Sequence, residues 1–335
     1  MRNFLPNPST PVTEGPLSQV LSKVSPIVYG CMGLGGSWEV DGTIESEHIT
    51  QAHEAVDAAL ESGINFFDHA DIYRRGRAET VFSEVLKARP ELREQIYLQS
   101  KCAIRFEDEH GPKRYDFSKE WIERSVDGIL SRLNVEYLDT FLLHRPDPLI
   151  EPEEIARSFE SLRASGKVRH FGASNMHGAQ LAFLQSYLDE PLVVNQVEIS
   201  LTNLGWLDEG VYAGNPAGQH VNFAPGTLEY CRLNKVQIQS WGSLSQGLFS
   251  GRDVSAESES IQTTAKLVAS LAEKYDTSKE AIVLAWILRH PAHIQPIVGS
   301  ASAERIRACA AAPSIALTRE DWYALYVSAR GEELP

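Results

Sequence analysis

Short runs of β-branched and aromatic residues recur along the chain, each followed by a longer segment whose apolar positions fall three and four apart. The runs predict strands over Ile27–Gly33, Ile64–Ala70, Ile96–Cys102, Tyr137–Arg145, Val168–Ser174, Leu192–Ser200, Val236–Gly242 and Ile294–Ser300. The spacing between them predicts helices over Ser46–Ser62, Arg77–Ala88, Ser118–Leu133, Pro152–Ser165, Gly178–Leu188, Thr227–Asn234 and Ala303–Ala311. A further helical pattern covers Ser270–His290, with Ala281, Leu284, Ala285 and Leu288 on one face, and Thr318–Ala329 reads as a terminal helix packed outside. Gly63 and Gly166 stand where a helix must turn back into a strand. Such alternation argues for parallel strands joined by helical crossovers. Eight strands favour a closed (β/α)8 barrel, because closure removes both sheet edges and leaves one mouth lined by the loops that follow the strands.

An open doubly wound sheet is disfavoured by its missing fingerprint. Met32-Gly33-Leu34-Gly35-Gly36 follows the first run, but no Gly-x-Gly-x-x-Gly opens a helix there with an acidic residue about twenty positions on. Met32 and Gly33 therefore read either as a plain turn or as backbone that approaches a ligand. The polar stretch Ala103–Phe117 and the long Leu201–Gly226 exceed the minimal repeat; both follow strands, so both are expected to hang over the functional mouth. Residues 1–335 read as one domain with an irregular lead over 1–25.

Length and composition fit this architecture. The chain has 335 residues, 43% of them apolar and 23% charged, as in a globular protein. No run reaches the roughly eighteen apolar residues of a membrane span, and Met1–Pro8 shows no secretory signal, so the expected location is cytoplasmic. Cys31, Cys102, Cys231 and Cys309 are widely spaced, with no Cys-x-x-Cys and no His pair at zinc spacing; they read as reduced thiols, and no metal is expected. A net charge of -14 argues against bulk nucleic-acid binding and requires any anionic ligand to be held by a local cluster.

The candidate chemistry sits at strand ends. Phe67-Asp68-His69-Ala70-Asp71-Ile72-Tyr73 places a carboxylate at the end of an apolar run and a tyrosine beyond it; Lys101 and His144 end the next two runs. A free tyrosine has a pKa of about 10, and an adjacent ammonium, held by Asp68, favours its ionised form. Tyr73 is thereby a candidate general acid, and His144 a donor to a carbonyl oxygen. The missing reactant is a hydride, for which a nicotinamide is the natural source. Asp68-His69 lacks the His-x-His of metal-dependent barrel hydrolases. Singly, each of these residues is a turn cap, a core aromatic or a solvated charge; their conjunction at consecutive strand ends is the signal. His69 should point away from Asp68, toward the helices, and Cys102 is a bystander of Lys101.

At these residues the chain resembles the aldo-keto reductase superfamily, especially its bacterial NADPH-dependent oxidoreductase branch, from about Val28 onward. The resemblance rests on the Asp68 to Tyr73 segment, Gln99-Ser100-Lys101, Leu143-His144-Arg145-Pro146-Asp147-Pro148, Gly166 to Asn175, and Asn195-Gln196-Val197-Glu198. It implies reduction of an aldehyde or ketone with Tyr73 as proton donor, Lys101 and Asp68 as its tuning pair, and His144 orienting the carbonyl. It also implies NADPH as cofactor, with NADH bound more weakly. Ser174, Asn175 and Gln196 would bond the nicotinamide carboxamide, Trp241 would stack on the ring, and Gly242, Ser243, Leu244, Ser245, Gln246 and Gly247 would track the pyrophosphate. Gly299, Ser300 and Arg305 match the 2′-phosphate site, although Gly299 stands where many NADPH-preferring members carry lysine. His69 replaces a common threonine, and Leu201–Gly226 is longer than in the closest branch. Some members are instead channel-associated regulatory subunits with little turnover, the rival reading.

Overall fold

The computed structural model describes residues 15–335; Met1–Pro8, and the rest of the expected lead up to position 14, lie outside the described residues. Eight strands form the barrel: β1 (Val28–Gly30), β2 (Phe66–Asp68), β3 (Tyr97–Cys102), β4 (Leu138–Leu143), β5 (Val168–Ser174), β6 (Leu192–Glu198), β7 (Gln237–Trp241) and β8 (Gln295–Val298). Each pairs in parallel with the next, and β8 closes on β1 through Val28↔Ile297 and Tyr29↔Val298. The surrounding helices are α1 (Ser46–Glu61), α2 (Arg77–Ala88), α3 (Lys119–Leu133), α4 (Pro152–Ala164), α5 (Gly178–Gln185), α6 (Gly205–Val211), α7 (Thr227–Leu233), α8 (Glu259–Lys274), α9 (Lys279–Leu288), α10 (Ala303–Ala310) and α11 (Arg319–Arg330). Among the described residues no helix is long and apolar enough to cross a membrane.

Several strands are shorter than the apolar runs that announce them. Ile27–Gly33, for example, yields only β1, because Cys31–Gly33 curl into a 3-10 turn at the mouth. The helical pattern over Ser270–His290 is two helices. Asp276 takes a positive φ of 48°, and the Ser278 hydroxyl then accepts from Ala281 N–H to start α9, so one helix ends and another begins. The earlier half starts at Glu259, where the sequence pattern is silent.

Side chains alternate between two cores. Tyr29, Phe67, Leu98, Phe141 and Phe171 point outward and pack beneath the helices. His69 does the same: it is fully buried, with its ring edge-on to Phe82 of α2 at 4.7 Å. Burial, reinforced by the Lys101 charge, lowers its pKa to about 3. Inside the barrel, Val28, Phe66, Leu142 and Val194 form the lower layer together with Leu17 and Leu21. Of the expected irregular lead over 1–25, only residues 15–25 are described. Pro16–Gln19 form a 3-10 turn that brings Leu17 and Leu21 under the barrel as a plug, since the open base exposes apolar strand ends that need cover.

The two long segments are both structured. Within Ala103–Phe117, Ile104–Arg105 pair antiparallel with Arg114–Tyr115, and Asp108 takes both Arg105 and Arg114. Leu201–Gly226 is no simple loop. Its start reaches the turn after β7 through Thr202 Oγ1 donating to Ser245 Oγ, but its middle forms α6 and docks on the barrel's flank. Trp206 packs edge-on against Trp286 of α9, and Asp208 accepts from Tyr326 and Arg330 of α11. Aromatic residues that resemble mouth lining in the sequence are anchors, because burying an indole against another helix gains more than leaving it over solvent.

A buried neutral histidine makes stability depend on acid. Between pH 6.5 and about 3 the unfolded chain binds a proton at position 69 that the folded chain refuses, so stability falls as pH drops through that window. We expect His69→Phe, which keeps the contact with Phe82, to gain on wild type by about 1.4 kcal/mol per pH unit below 6.5. Urea midpoints at pH 7 and pH 4.5 measure this; an equal acid loss in both proteins would refute it.

Candidate active site

The end of β2 delivers Asp68 into the barrel opposite Gln99 of β3, and Lys101, two residues further along β3 on the same face, meets it there. Both are removed from water, at 1% and 0% exposure. Lys101 Nζ has three N–H groups and uses all three: to Asp68 Oδ2 at 2.7 Å, the His69 carbonyl at 2.7 Å and Tyr73 Oη at 3.0 Å. Burial works to lower the Lys101 pKa, but Asp68 and Tyr73 outweigh it and hold the ammonium above its ordinary 10.5.

Tyr73 arrives from the turn after β2, whose N–H donates to the Ala70 carbonyl at 3.0 Å. The two residues after it, Arg74 and Arg75, adopt left-handed backbone with φ of 50° and 56°. Such conformations cost about 1–3 kcal/mol each in non-glycine residues and are kept where the surroundings hold them. The net effect on the phenol differs from the expectation. Lys101 does lower the Tyr73 pKa, yet burial outweighs it and Asp68 offsets the cation, so the phenol stays above its ordinary 10.

His144 follows β4, its ring edge-on to Tyr73 with centroids 6.1 Å apart. Burial first, then Lys101 and Arg145, push its pKa well below 6.5, so the imidazole is neutral. Its Nδ1 is buried without a protein partner. A neutral ring keeps one N–H to donate.

Around Asp68 lies a layer of glutamines, of which the family resemblance assigns a role only to Gln196, for the carboxamide, and not to Gln99, Gln239 or Gln295. Gln99 Nε2 donates to Asp68 Oδ1 at 2.6 Å and to Gln239 Oε1 at 2.9 Å. Gln196 Nε2 donates to the same two oxygens at 3.2 and 3.1 Å. Gln239 in turn donates to Gln295 Oε1, and Gln295 to the Ser25 carbonyl. The available signal was parity: Gln99 stands two residues before Lys101 in one strand and so shares its face.

At the ends of β5 to β7 the expected carboxamide-binding group is already interlinked. Ser174 Oγ donates to the Gln196 carbonyl and accepts from Asn175 Nδ2, both at 2.8 Å. Asn175, at φ 59°, also donates to the His144 carbonyl, and its Oδ1 accepts from Trp241 Nε1 at 3.1 Å. The Gln196 amide nitrogen is spent on Asp68 and Gln239, so its N–H groups are engaged within the barrel.

The turn after β7 carries four positive-φ residues, Gly242, Ser245, Gln246 and Gly247, and two of its N–H groups are spent within it, Ser245 on the Gly242 carbonyl at 2.8 Å and Gly247 on the Leu244 carbonyl at 2.9 Å. The two serine hydroxyls are engaged inside the protein: Ser243 Oγ donates to the Ser240 carbonyl, and Ser245 Oγ accepts from Thr202. Leu244 is half-buried and Gln246 exposed. Near α10, Ser300 Oγ accepts from Ser302 N–H, Ser302 itself caps the helix, and Arg305 is exposed in the first turn. Met32 is exposed beside this mouth, and a Cβ on Gly33 would stand 3.2 Å from the Gly299 carbonyl oxygen. Gly35, at φ +83°, would strike the start of α2 with any side chain, so that part of the glycine cluster serves close packing.

The sequence profile of the Aldo/keto reductase family matches residues 26–326. The chain is 36% identical to the oxidoreductase YdhF of Escherichia coli, covering 84% of this chain and 88% of that protein. It is 34% identical to a 6-dehydroglucose reductase of Novosphingobium aromaticivorans, covering 93% and 94%. Among solved structures, the glycerol dehydrogenase of Gluconobacter oxydans superposes with a TM-score of 0.74 at 22% identity, covering 92% of each chain. An aldo-keto reductase from Klebsiella pneumoniae in complex with NADPH gives 0.67 at 24%, covering 90% of each. With the closed barrel, the buried Asp68–Lys101–Tyr73 set and a profile that spans nearly the whole length, the chain belongs to the aldo/keto reductase family of oxidoreductases.

Proposed function

We propose that the protein reduces the carbonyl of a small aldehyde or ketone to an alcohol, with Tyr73 as proton donor and with NADPH bound in preference to NADH. The observation that carries this reading is the commitment of every Lys101 N–H to Asp68, the His69 carbonyl and Tyr73, in a place sealed from water. A phenol held protonated at neutral pH, against a fixed cation that stabilises its anion as the proton leaves, suits an acid rather than a base. The neutral His144 donates to the substrate oxygen and fixes its orientation without competing for the proton. A reduced nicotinamide, when bound, supplies the hydride.

The residues present fit such a dinucleotide. Asn175 is held in a left-handed backbone conformation with its amide at the mouth, the turn from Gly242 to Gly247 offers a pyrophosphate main-chain N–H groups other than those of Ser245 and Gly247, and Arg305 is an exposed cation at a helix start. Relatives named 6-dehydroglucose reductase act on a carbonyl compound; the class, rather than that sugar, is what we carry over.

In purified protein, Tyr73→Phe is expected to lose turnover by about 10²-fold or more while cofactor titration by fluorescence stays near wild type. Retained turnover would remove Tyr73 from the role.

The pH dependence follows from the direction of the Tyr73 shift. Reduction needs the phenol, so it stays insensitive to this group up to its ordinary 10; the reverse alcohol oxidation needs the phenolate and rises with pH toward a midpoint above 10. Lys101→Met removes the lowering influence of the cation, so the oxidation profile should move further alkaline, about tenfold in rate at fixed pH per unit of displacement. An unmoved oxidation profile would assign the tuning elsewhere.

For the cofactor, Arg305→Ala should weaken NADPH binding by roughly tenfold, the low end for a charge-assisted bond because the arginine is exposed, and NADH binding far less. Equal losses for both cofactors, read by the same titration, would remove Arg305 as the 2′-phosphate contact.

A further inference from the structure

Among the described residues, three arginines that follow strand ends have no carboxylate within ion-pair distance, although one of them, Arg75, shares its pocket with Asp71, Glu107 and Asp108. Arg145 follows His144, and its guanidinium carbon lies 5.5 Å from the centre of the Trp241 ring, linking the ends of β4 and β7. Arg74 and Arg75 follow Tyr73. Arg74 spends one N–H on the Met32 carbonyl and lies over Trp38 at 5.2 Å; Arg75 spends one on the Trp38 carbonyl and lies over Phe106 at 4.3 Å. A guanidinium has five N–H groups, so most of this donor capacity is unspent among the described residues. Arginines just behind the rim are neutralised: Arg105 by Asp108 and Asp116, Arg114 by Asp108, and Arg132 by Glu79.

The contrast has physical content. On a chain of net charge -14 acidic partners are plentiful, yet these three cations are laid on aromatic faces, which orient a guanidinium flat while leaving its edge free. Arg74 and Arg75 also occupy left-handed backbone that glycine would hold with less strain. The contacts of Arg74 and Arg75 tie the Met32–Trp38 stretch to the turn after β2, but they leave the charges of Arg74 and Arg145 without an acidic partner among the described residues.

We propose that Arg145 and Arg74 hold an oxyanion carried by the substrate, so that the preferred substrates are carbonyl compounds bearing a carboxylate or a similar acidic group. The inference rests on the carbonyl-reductase reading. A planar, unpartnered guanidinium beside His144 matches the two oxygens of a carboxylate, and the cation cluster raises the local concentration of anionic over neutral aldehydes.

The test compares 4-formylbenzoate with its neutral methyl ester as substrates for wild type, Arg145→Gln and Arg74→Gln. In wild type at low ionic strength the acid should exceed the ester in kcat/KM by about tenfold or more, the worth of one charge-assisted hydrogen bond, and the ratio should shrink as salt is added. Either substitution should drive the ratio toward one, with NADPH affinity held, which separates a substrate role from a cofactor role. A wild-type ratio at or below one, or a ratio that neither salt nor the substitutions change, overturns the proposal, and the wild-type measurement decides even if a variant folds poorly. Calorimetric titration of the NADP+-loaded protein with the same two compounds runs alongside. Acid-selective binding that the substitutions abolish, without turnover of either compound, would keep the anion site and sink the reductase reading; turnover of both without selectivity would do the reverse.

Discussion

An ion pair sealed inside the barrel sets the terms for the rest of the molecule. Asp68 and Lys101 meet at 2.7 Å with essentially no access to water. Taking two charges out of water costs several kcal/mol per ion, recovered only if geometry is good and every remaining donor and acceptor is satisfied. Here the satisfaction is complete on the lysine and shared on the aspartate: Gln99 and Gln196 cover one carboxylate oxygen while Lys101 takes the other. Because Tyr73 is one of the three partners of the ammonium, the requirement that stabilises the pair also fixes the phenol.

Strand parity keeps this charge system separate from a second one a few ångströms away. In β3, Gln99 and Lys101 face the interior, while Ser100 faces α2 and donates to Glu79 Oε1 at 2.8 Å. Burial raises the Glu79 pKa, and Arg132 and Ser100 work against that; the Arg132 contact at 2.7 Å bridges α3 to α2. One strand thereby tunes a phenol on its inner face and ties two helices together on its outer face. The same alternation carries His69 away from the site beside Asp68 and into apolar contact with Phe82.

The two ends of the barrel are treated differently. At the base, Leu17 and Leu21 close the interior with ordinary apolar packing. Left-handed backbone occurs at both ends, at Lys23, Lys235 and His293 before strands and at Arg74, Arg75, Asn175, Ser245 and Gln246 after them, and at the mouth hydrogen bonds run between the ends of different strands, as from Trp241 to Asn175 and from Asn175 to the His144 carbonyl. Rigid packing below and interlinked polar groups above give a site whose parts are positioned before any ligand arrives.

Periodicity alone determined the eight strands, their parallel order and most of the helices, because a strand buried on both faces and a helix buried on one leave different spacings in the chain. Asp68, Tyr73, Lys101 and His144 were legible for the same reason: polar residues ending apolar runs are conspicuous. Sequence spacing could not show that Leu17 and Leu21 plug the base, that Trp206 and Tyr326 belong to one flank, or that α8 and α9 separate at Asp276, since these depend on which distant surface offers apolar cover. Nor could it give the net direction of the Tyr73 shift, which is a balance among burial, Lys101 and Asp68 that exists only once the barrel closes. Local pattern fixes which residues face inward; only the closed barrel fixes how much water they lose and which charges they meet, and those two quantities decide the chemistry.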